Sequence, residues 1–503
     1  MPRPNILLLF TDQQRGDTIH AAGNPVIVTP HLDRLVREGV TFTNAFTPSP
    51  VCVSARCSLI HGQYPHRTGC TDNGDPMPTD RPTLMSLLAE AGYRTHGVGK
   101  THFTPDGQAL RGFQTRERQE ELLRRLEDDD YVPYLRANGY SHVLDPMGPR
   151  GEMYYIPQVS QVPARLHATQ WVGDHSEAFI REHARTREDA REGGDRPFFL
   201  FSSYIHPHPP FAPPTPWNKL YRGPLMPLPK RPAQREALWT WANRHQNRYK
   251  YRDNGIDNNL LRVIKAHYYA CVSFIDYQVG RLLAALEETG MLDNTLILFA
   301  SDHGELLGDY DCFGKRSMLD SAARVPLLAR LPGRFAAGAT CDAATSLVDI
   351  MPTALAAAGV PAAGASLDGL DLAEVAGRHD LAGRTVYSQF QRRGLGVYMA
   401  VNREQKYYYS APDRREFFFS RVEDPDEMRN RAGLTFCRGE VEAARGGLIE
   451  YLRAGGYEEP IDGAGWREFP APPDPAGPDP DAGLLVQDAP WSLPLQRIPG
   501  YTE

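Results

Sequence analysis

Two short stretches carry the side chains best suited to hold a cation. Asp12-Gln13 directly follows the apolar run 5–10, and Ser301-Asp302-His303-Gly304-Glu305 directly follows the run 296–300. Two carboxylates (Asp12, Asp302), an amide oxygen (Gln13) and an imidazole (His303), all at the ends of strand-like runs, can converge on one divalent metal ion. An oxygen-rich set suits calcium, magnesium or manganese, and the imidazole leans toward manganese. Taken singly, an aspartate after a strand reads as a helix cap or a turn residue. A third stretch, residues 50–65, places Arg56 four residues after Cys52. By itself such a cysteine reads as a buried structural thiol.

The elements that must position these residues follow from the apolar pattern. Runs 5–10, 198–201 and 296–300 are apolar on both faces and read as buried strands. Helices are expected over 31–38, 83–91 and 260–289, the last with Val272, Ile275, Val279, Leu282 and Leu286 at steps of three and four and Gly290 as its stop. Strands alternating with helices predict an α/β fold with a large, mainly parallel sheet sandwiched by helices, and chemistry at the carboxyl ends of its strands. The pattern changes near residue 376. Strand-like runs at 385–389, 397–401, 406–409 and 416–420, then a helix over 439–454, predict a smaller C-terminal antiparallel-sheet subdomain. The expected division is 1–375, 376–465 and a proline-rich arm, 466–503. Six of the eleven residues from 470 to 480 are proline, so that arm cannot form a regular core element.

Composition narrows the class. The chain has 503 residues, with 55 Lys and Arg against 62 Asp and Glu for a net charge of −7, which argues against nucleic acid as a partner. Its N-terminal apolar run is too short for a secretory signal, and no segment approaches a membrane span. The seven cysteines are scattered without a C-x-x-C pair, which speaks against a disulfide scaffold or a zinc–thiolate site. The expectation is a cytoplasmic enzyme without a membrane partner. The proline-rich arm suits contact with a neighbouring subunit, so a homo-oligomer is expected.

The segment Pro50-Val51-Cys52-Val53-Ser54-Ala55-Arg56-Cys57-Ser58-Leu59-Ile60-His61-Gly62-Gln63 resembles the signature of type I sulfatases, C-x-P-x-R followed by leucine or methionine and a T-G-R-like end. Ser54, His61 and Gln63 depart from it. Further motifs resemble the family in order: Asp12-Gln13 and Asp302-His303 as metal pairs, Gly99-Lys100-Thr101-His102 as the G-K-x-H element, and Pro207-His208-Pro209-Pro210 as P-H-x-P. Lys315 fits the second lysine, Arg324-Val325-Pro326 a later strand opening, and Val422-Glu423-Asp424-Pro425-Asp426-Glu427 the closing D-P-x-E. The resemblance covers roughly the first 430 residues.

What the resemblance implies is an alkaline phosphatase-like fold and the hydrolysis of sulfate monoesters to an alcohol or phenol plus sulfate. Cys52, oxidised to formylglycine by a formylglycine-generating or radical maturase, would join Asp12, Gln13, Asp302 and His303 around one divalent ion, calcium before manganese or magnesium. The aerobic maturase favours proline where this chain has Ser54. One hydroxyl of the hydrated aldehyde takes the sulfate, and the second lets sulfate depart as the aldehyde re-forms. Arg56 is implied to stabilise the alkoxide, and Lys100 and Lys315 to bind sulfate oxygens. His208 is implied to protonate the leaving oxygen jointly with Lys315, and His102 to act as base. Asn73, otherwise a turn residue, is a candidate sulfate contact. The substrate is a small-molecule or saccharide sulfate ester. Regions 106–195 and 212–255 separate the motifs and are where specificity is expected; the second mixes Trp217, Tyr221, Trp239 and Trp241 with Lys219, Arg222 and Arg244. Two rival readings stand beside this one: a phosphonate monoester or phosphodiester hydrolase, against which Lys100 and His102 speak, and an inactive binding protein whose Cys52 is never oxidised.

Overall fold

Side-chain alternation along β1 (Asn5–Asp12) organises the main domain. All eight residues are buried. Successive side chains point to opposite faces, so Ile6, Leu8 and Phe10 enter one apolar cluster and Leu7 and Leu9 another. A strand apolar on both sides must be covered on both sides. In this computed structural model, which describes residues 3–121, 128–150, 154–189, 196–250, 257–362 and 364–473, helices supply that cover. On one face lie α1 (Pro30–Glu38), through Leu32 and Leu35, the helix Ala168–Asp189, through Trp171 and Phe179, and the long helix Asn258–Glu288, through Ile275, Val279, Leu282 and Leu286. On the other lie α2 (Cys52–His61) and the helix Leu84–Glu90.

After β1 come β2 (Val40–Phe42), β3 (Ala45–Phe46), β4 (Arg94–Gly99), β5 (Thr115–Arg118), β6 (Phe198–Pro207), β7 (Thr295–Ser301), β8 (Leu327–Arg330), β9 (Ala339–Cys341) and β10 (Thr345–Ser346). Eight of them form one sheet in the order β5-β4-β6-β1-β7-β8-β2-β9, with β3 and β10 as a separate pair. Pairing is parallel from β5 through β7, while β8 runs antiparallel to both β7 and β2. The sheet is therefore mixed, with a parallel half that carries the long strands. β1 and β6 outlast their expected apolar runs, because the ladder continues through polar residues: Phe10 pairs with Ser203 and Thr11 with Tyr204.

The C-terminal sheet follows the expected antiparallel meander, β11 (Val386–Phe390), β12 (Val397–Val401), β13 (Gln405–Ser410) and β14 (Arg415–Ser420). Its alternation again serves two sides. Met399, Tyr408, Phe417 and Phe419 pack on Leu306, Met318 and Leu319 of the main domain, while Tyr398, Tyr407 and Phe418 pack on Val441, Leu448 and Leu452 of the helix Arg438–Ala454. Of the expected proline-rich arm, residues 474–503 lie outside the described residues. Among the described residues no helix is long and apolar enough to cross a membrane, and the seven cysteines are free.

A buried ion cluster fastens the two sheets together. Lys406 on β13 is fully buried and reaches Asp320 and Glu427, and it donates to the Met318 carbonyl at 2.9 Å. Arg421 reaches Asp320 at 2.9 Å, whereas Glu427 meets its cation in Lys406. Removing one member of a buried pair strands the other charge, at a cost of about 3–5 kcal/mol. Lys406→Met is expected to lower the urea unfolding free energy by that amount. The deficit should shrink as the pH falls, because burial and Asp320 already push the Glu427 carboxyl up and a protonated Glu427 needs no cation. A substitution that leaves the unfolding curve unchanged would show the cluster to be dispensable.

Candidate active site

Four adjacent strands, β4, β6, β1 and β7, deliver their carboxyl ends to one place. Asp12 ends β1, Asp302 follows β7, Lys100 follows β4 and His208 follows β6. The turn out of β4 requires Gly99: its φ is +88°, and an added Cβ would lie 2.0 Å from the Ser203 carbonyl oxygen. The Lys100 amide hydrogen-bonds that same carbonyl at 3.2 Å, which turns the lysine side chain inward. The other lysine arrives by a loop: the Arg316 amide donates to Pro50 O at 2.9 Å and so sets Lys315 beside Cys52.

Cys52 is the first residue of α2, a helix whose residues are all buried. Its amide end is closed by Asn73, whose Oδ1 accepts from the Val53 amide at 3.0 Å. Asn73 is thus engaged, on its oxygen side, as a helix cap. Residue 54 lies in the first turn, where a backbone N–H has no partner within the helix, so a proline there would forfeit no intrahelical hydrogen bond. Ser54 uses the position differently, donating its hydroxyl to the Cys70 carbonyl at 2.6 Å.

The Cys52 Sγ lies 2.7 Å from Lys315 Nζ, 3.2 Å from His303 Nε2 and 3.6 Å from Asp12 Oδ1. Burial and Asp12 both push this thiol up, yet Lys315, Lys100 and His303 outweigh them and hold it well below the ordinary range. Arg56, one turn further along α2, is committed to structure on every side. It gives Nε to Asp302 at 2.9 Å, Nη2 to Asp12 at 3.1 Å, and Nη1 to the Lys100 carbonyl at 2.7 Å and Ser203 Oγ at 3.1 Å. Its contacts are with the carboxylates that surround the cysteine.

Donor atoms of Asp12, Cys52, Asp302 and His303 all lie within 4.8 Å of one another and are buried. Gln13 completes the set by an orphaned atom. Its Nε2 is turned onto Glu305, and its Oε1 is buried without a partner among the described residues. Glu305 is itself fixed by Tyr155 Oη at 3.0 Å and the Leu307 amide at 2.9 Å, so the amide presents oxygen to the site. Three oxygen donors, one of them an unsatisfied buried acceptor, and an imidazole fit a divalent cation. The two aspartates differ sharply. Burial raises both, but Lys100, His208, Arg56 and Lys315 bring Asp12 well below its usual value, while Asp302, facing the Asp12 charge, is held up at about 6.

Lys100 is fully buried between Asp12 and Glu121, with Nζ 2.7 Å from each. Of the two histidines near the end of β6, His208 faces this group: its Nδ1 meets the Pro209 carbonyl at 2.7 Å and its Nε2 lies 3.4 Å from Glu121. His206 turns away, against His167 and Thr169. His102 sits at φ +54° with its amide held by Glu120 at 3.0 Å, and its Nδ1 is buried without a partner among the described residues. Glu121, Glu305 and Arg150 were not expected as site residues. Glu305 stands in the stretch after β7 and could have been inferred from it. Glu121 lies in a charged run with no motif around it.

The strand order, with buried carboxylates at the strand ends and a buried cysteine between them, defines the alkaline phosphatase-like class. The sulfatase family model matches residues 4–360, and the family model of the N-sulphoglucosamine sulphohydrolase C-terminal region matches residues 308–436. The chain is 30% identical over 488 residues to an arylsulfatase of Clostridium perfringens, covering 91% of this chain and 96% of that one. It is 28% identical to a choline-sulfatase of Rhizobium meliloti, covering 93% and 90%. In structure it resembles the phosphonate monoester hydrolase of Agrobacterium radiobacter, with a TM-score of 0.73 at 24% identity over 91% of this chain and 96% of that chain, a likeness of fold. The chain belongs to the sulfatase family and is a sulfuric ester hydrolase.

The donor set makes a thermal prediction. Adding a divalent cation to chelator-treated protein is expected to raise Tm, since a ligand held only by the folded state stabilises it, by about 4 kcal/mol at a thousandfold excess over Kd. Asp302→Asn should abolish the rise. Because a proton competes for Asp302 up to about pH 6, the increment should grow between about pH 5 and 7. A cation shift that survives the substitution would place the ion elsewhere.

Proposed function

We propose that the protein cleaves sulfate monoesters of small molecules or saccharides through a nucleophile made from Cys52 by oxidation to formylglycine. The observation that carries this is the setting of Cys52: first residue of a buried helix, with Sγ 2.7 Å from Lys315 Nζ and 3.2 Å from His303, inside the Asp12–Asp302–His303 group. In this structure Sγ stands in for the hydroxyl oxygens of the hydrated aldehyde. Asp12, Gln13, Asp302, His303 and residue 52 would hold a single divalent ion, calcium before manganese or magnesium given the oxygen donors. That ion supplies charge that lowers the pKa of a hydroxyl beside it.

The protein's own residues then divide the work. Lys315 Nζ lies against the reacting atom of residue 52 and neutralises the sulfate oxygens that approach it; Lys100, held at Asp12, adds a second positive charge. Arg56 keeps the two aspartates in place. His208, with Nδ1 on the Pro209 carbonyl, presents Nε2 toward the substrate side. Burial lowers its proton affinity and Glu121 opposes that; the incoming anion adds to Glu121 in drawing a proton onto Nε2, from which the leaving oxygen takes it. His102, whose Nδ1 is buried without a partner among the described residues, is the base that releases the second hydroxyl. Choline-sulfatase and N-acetylglucosamine-6-O-sulfatase relatives support a substrate among small alcohols or sugars.

Purified protein is expected to turn over an aryl sulfate faster than phenyl phosphonate, and the peptide bearing residue 52 to be lighter than the cysteine form by a sulfur and two hydrogens less one oxygen. Preference for the phosphonate, or an unaltered cysteine mass in active protein, would overturn the proposal. His208→Ala is expected to cost kcat about 10²- to 10⁴-fold on an alkyl sulfate, and far less on nitrophenyl sulfate, whose leaving group departs without a proton. Equal losses on both esters would remove His208 from the acid role.

A further inference from the structure

Glu121 is out of place in an anion site. Its carboxylate is buried, with 9% of the side chain exposed, and lies 2.7 Å from Lys100 Nζ, 2.8 Å from Arg150 Nη2 and 3.4 Å from His208 Nε2. Lys315 also acts on it electrostatically. Lys100, Lys315 and His208 are the groups to which the proposed function assigns the sulfate. A fixed carboxylate among them offers an incoming anion no hydrogen-bond donor and cancels part of the attraction. Burial pushes this carboxyl up, but His208, Lys100 and Arg150 hold it well below its usual range, so it keeps its charge.

The two species that must use the subsite differ in charge. A sulfate monoester arrives as a monoanion, whereas free sulfate leaves as a dianion. Repulsion from a fixed charge grows in proportion to the charge of the species bound, so the product is penalised about twice as much, in free energy, as the substrate. We propose that Glu121 is a specificity-determining residue that sets the charge capacity of the anion subsite, admitting the monoanionic ester and disfavouring dianions, inorganic sulfate and phosphate among them. The inference rests on the sulfatase reading and adds a residue outside the family's motifs. Arg150, which stacks over Tyr154 at 5.6 Å, acts with it as the partner that makes a buried carboxylate tolerable there.

Two inert probes separate the terms without turnover: inorganic sulfate as dianion and methanesulfonate as monoanion, titrated calorimetrically into the metal-loaded enzyme at fixed ionic strength. Glu121→Gln is expected to tighten sulfate on the order of tenfold and methanesulfonate by about threefold, the square root, because the Coulomb term scales with charge. Arg150→Gln should move the ratio the other way, weakening sulfate more than methanesulfonate, and it provides the test if Glu121→Gln fails to fold. Equal factors for both anions, or no tightening of sulfate in folded Glu121→Gln, would overturn the proposal and show the carboxylate to be a structural ion-pair partner only. Turnover of aryl sulfate by the wild type is measured in parallel. Its absence would overturn the sulfatase reading, while the two titrations would still report on Glu121.

Discussion

Asp12 ends β1 and Asp302 follows the neighbouring β7, both are buried, and their mutual repulsion is the constraint that shapes everything around them. Two like charges about 4 Å apart repel by ~4 kcal/mol at an effective dielectric of 20. Arg56 touches both carboxylates and cannot lose its proton, so it offsets that repulsion at any working pH. The cations are shared unequally. Asp12 also has Lys100, whereas Asp302 depends on Arg56 and His303 and stays above its ordinary range. A site left with one carboxylate reluctant to ionise is one that gains from a divalent ion.

The same charges explain the scaffold. Arg56 must come from a rigid element, because it crosses from the cysteine to two different strands; α2, buried along its whole length, is that element. Lys100 must turn sharply out of β4, and only a glycine fits against the Ser203 carbonyl at that turn. Lys315 must sit on a loop tied to the start of α2, and the Arg316–Pro50 hydrogen bond ties it. The C-terminal sheet contributes at one remove: by packing on Leu306, Met318 and Leu319 it backs the chain on either side of Lys315.

Of the two intervening regions expected to carry specificity, the described parts behave differently. In 212–255, Trp217 stacks on Phe274, Tyr221 Oη meets Ser273 and the Val28 amide, Trp239 Nε1 donates to the Tyr310 carbonyl, and Trp241 Nε1 donates to the Pro473 carbonyl. These aromatics pack the molecule together. In 106–195, by contrast, Glu121, Arg150 and Tyr154 gather beside His208. This region brings its charged side chains to the site.

The amino-acid order by itself determined the long buried strands, the long helix, the meander and the residues around Cys52, because each is written in contiguous residues: an apolar period, a turn, or a spaced motif. The strand β8 was marked by its Arg324-Val325-Pro326 opening but not its antiparallel direction, and the short strands β2, β5 and β9 were not legible, since three or four residues carry no period of their own and are defined by their neighbours. Likewise Asp12 and Asp302 were marked by their places after strands, but that Arg56 bridges them, that Gln13 turns its oxygen inward because Glu305 takes its nitrogen, and that Glu121 enters the anion site were decided by the tertiary structure. Each of those facts joins residues tens to hundreds of positions apart, and a Coulomb interaction depends on distance in space, which the order of residues does not specify.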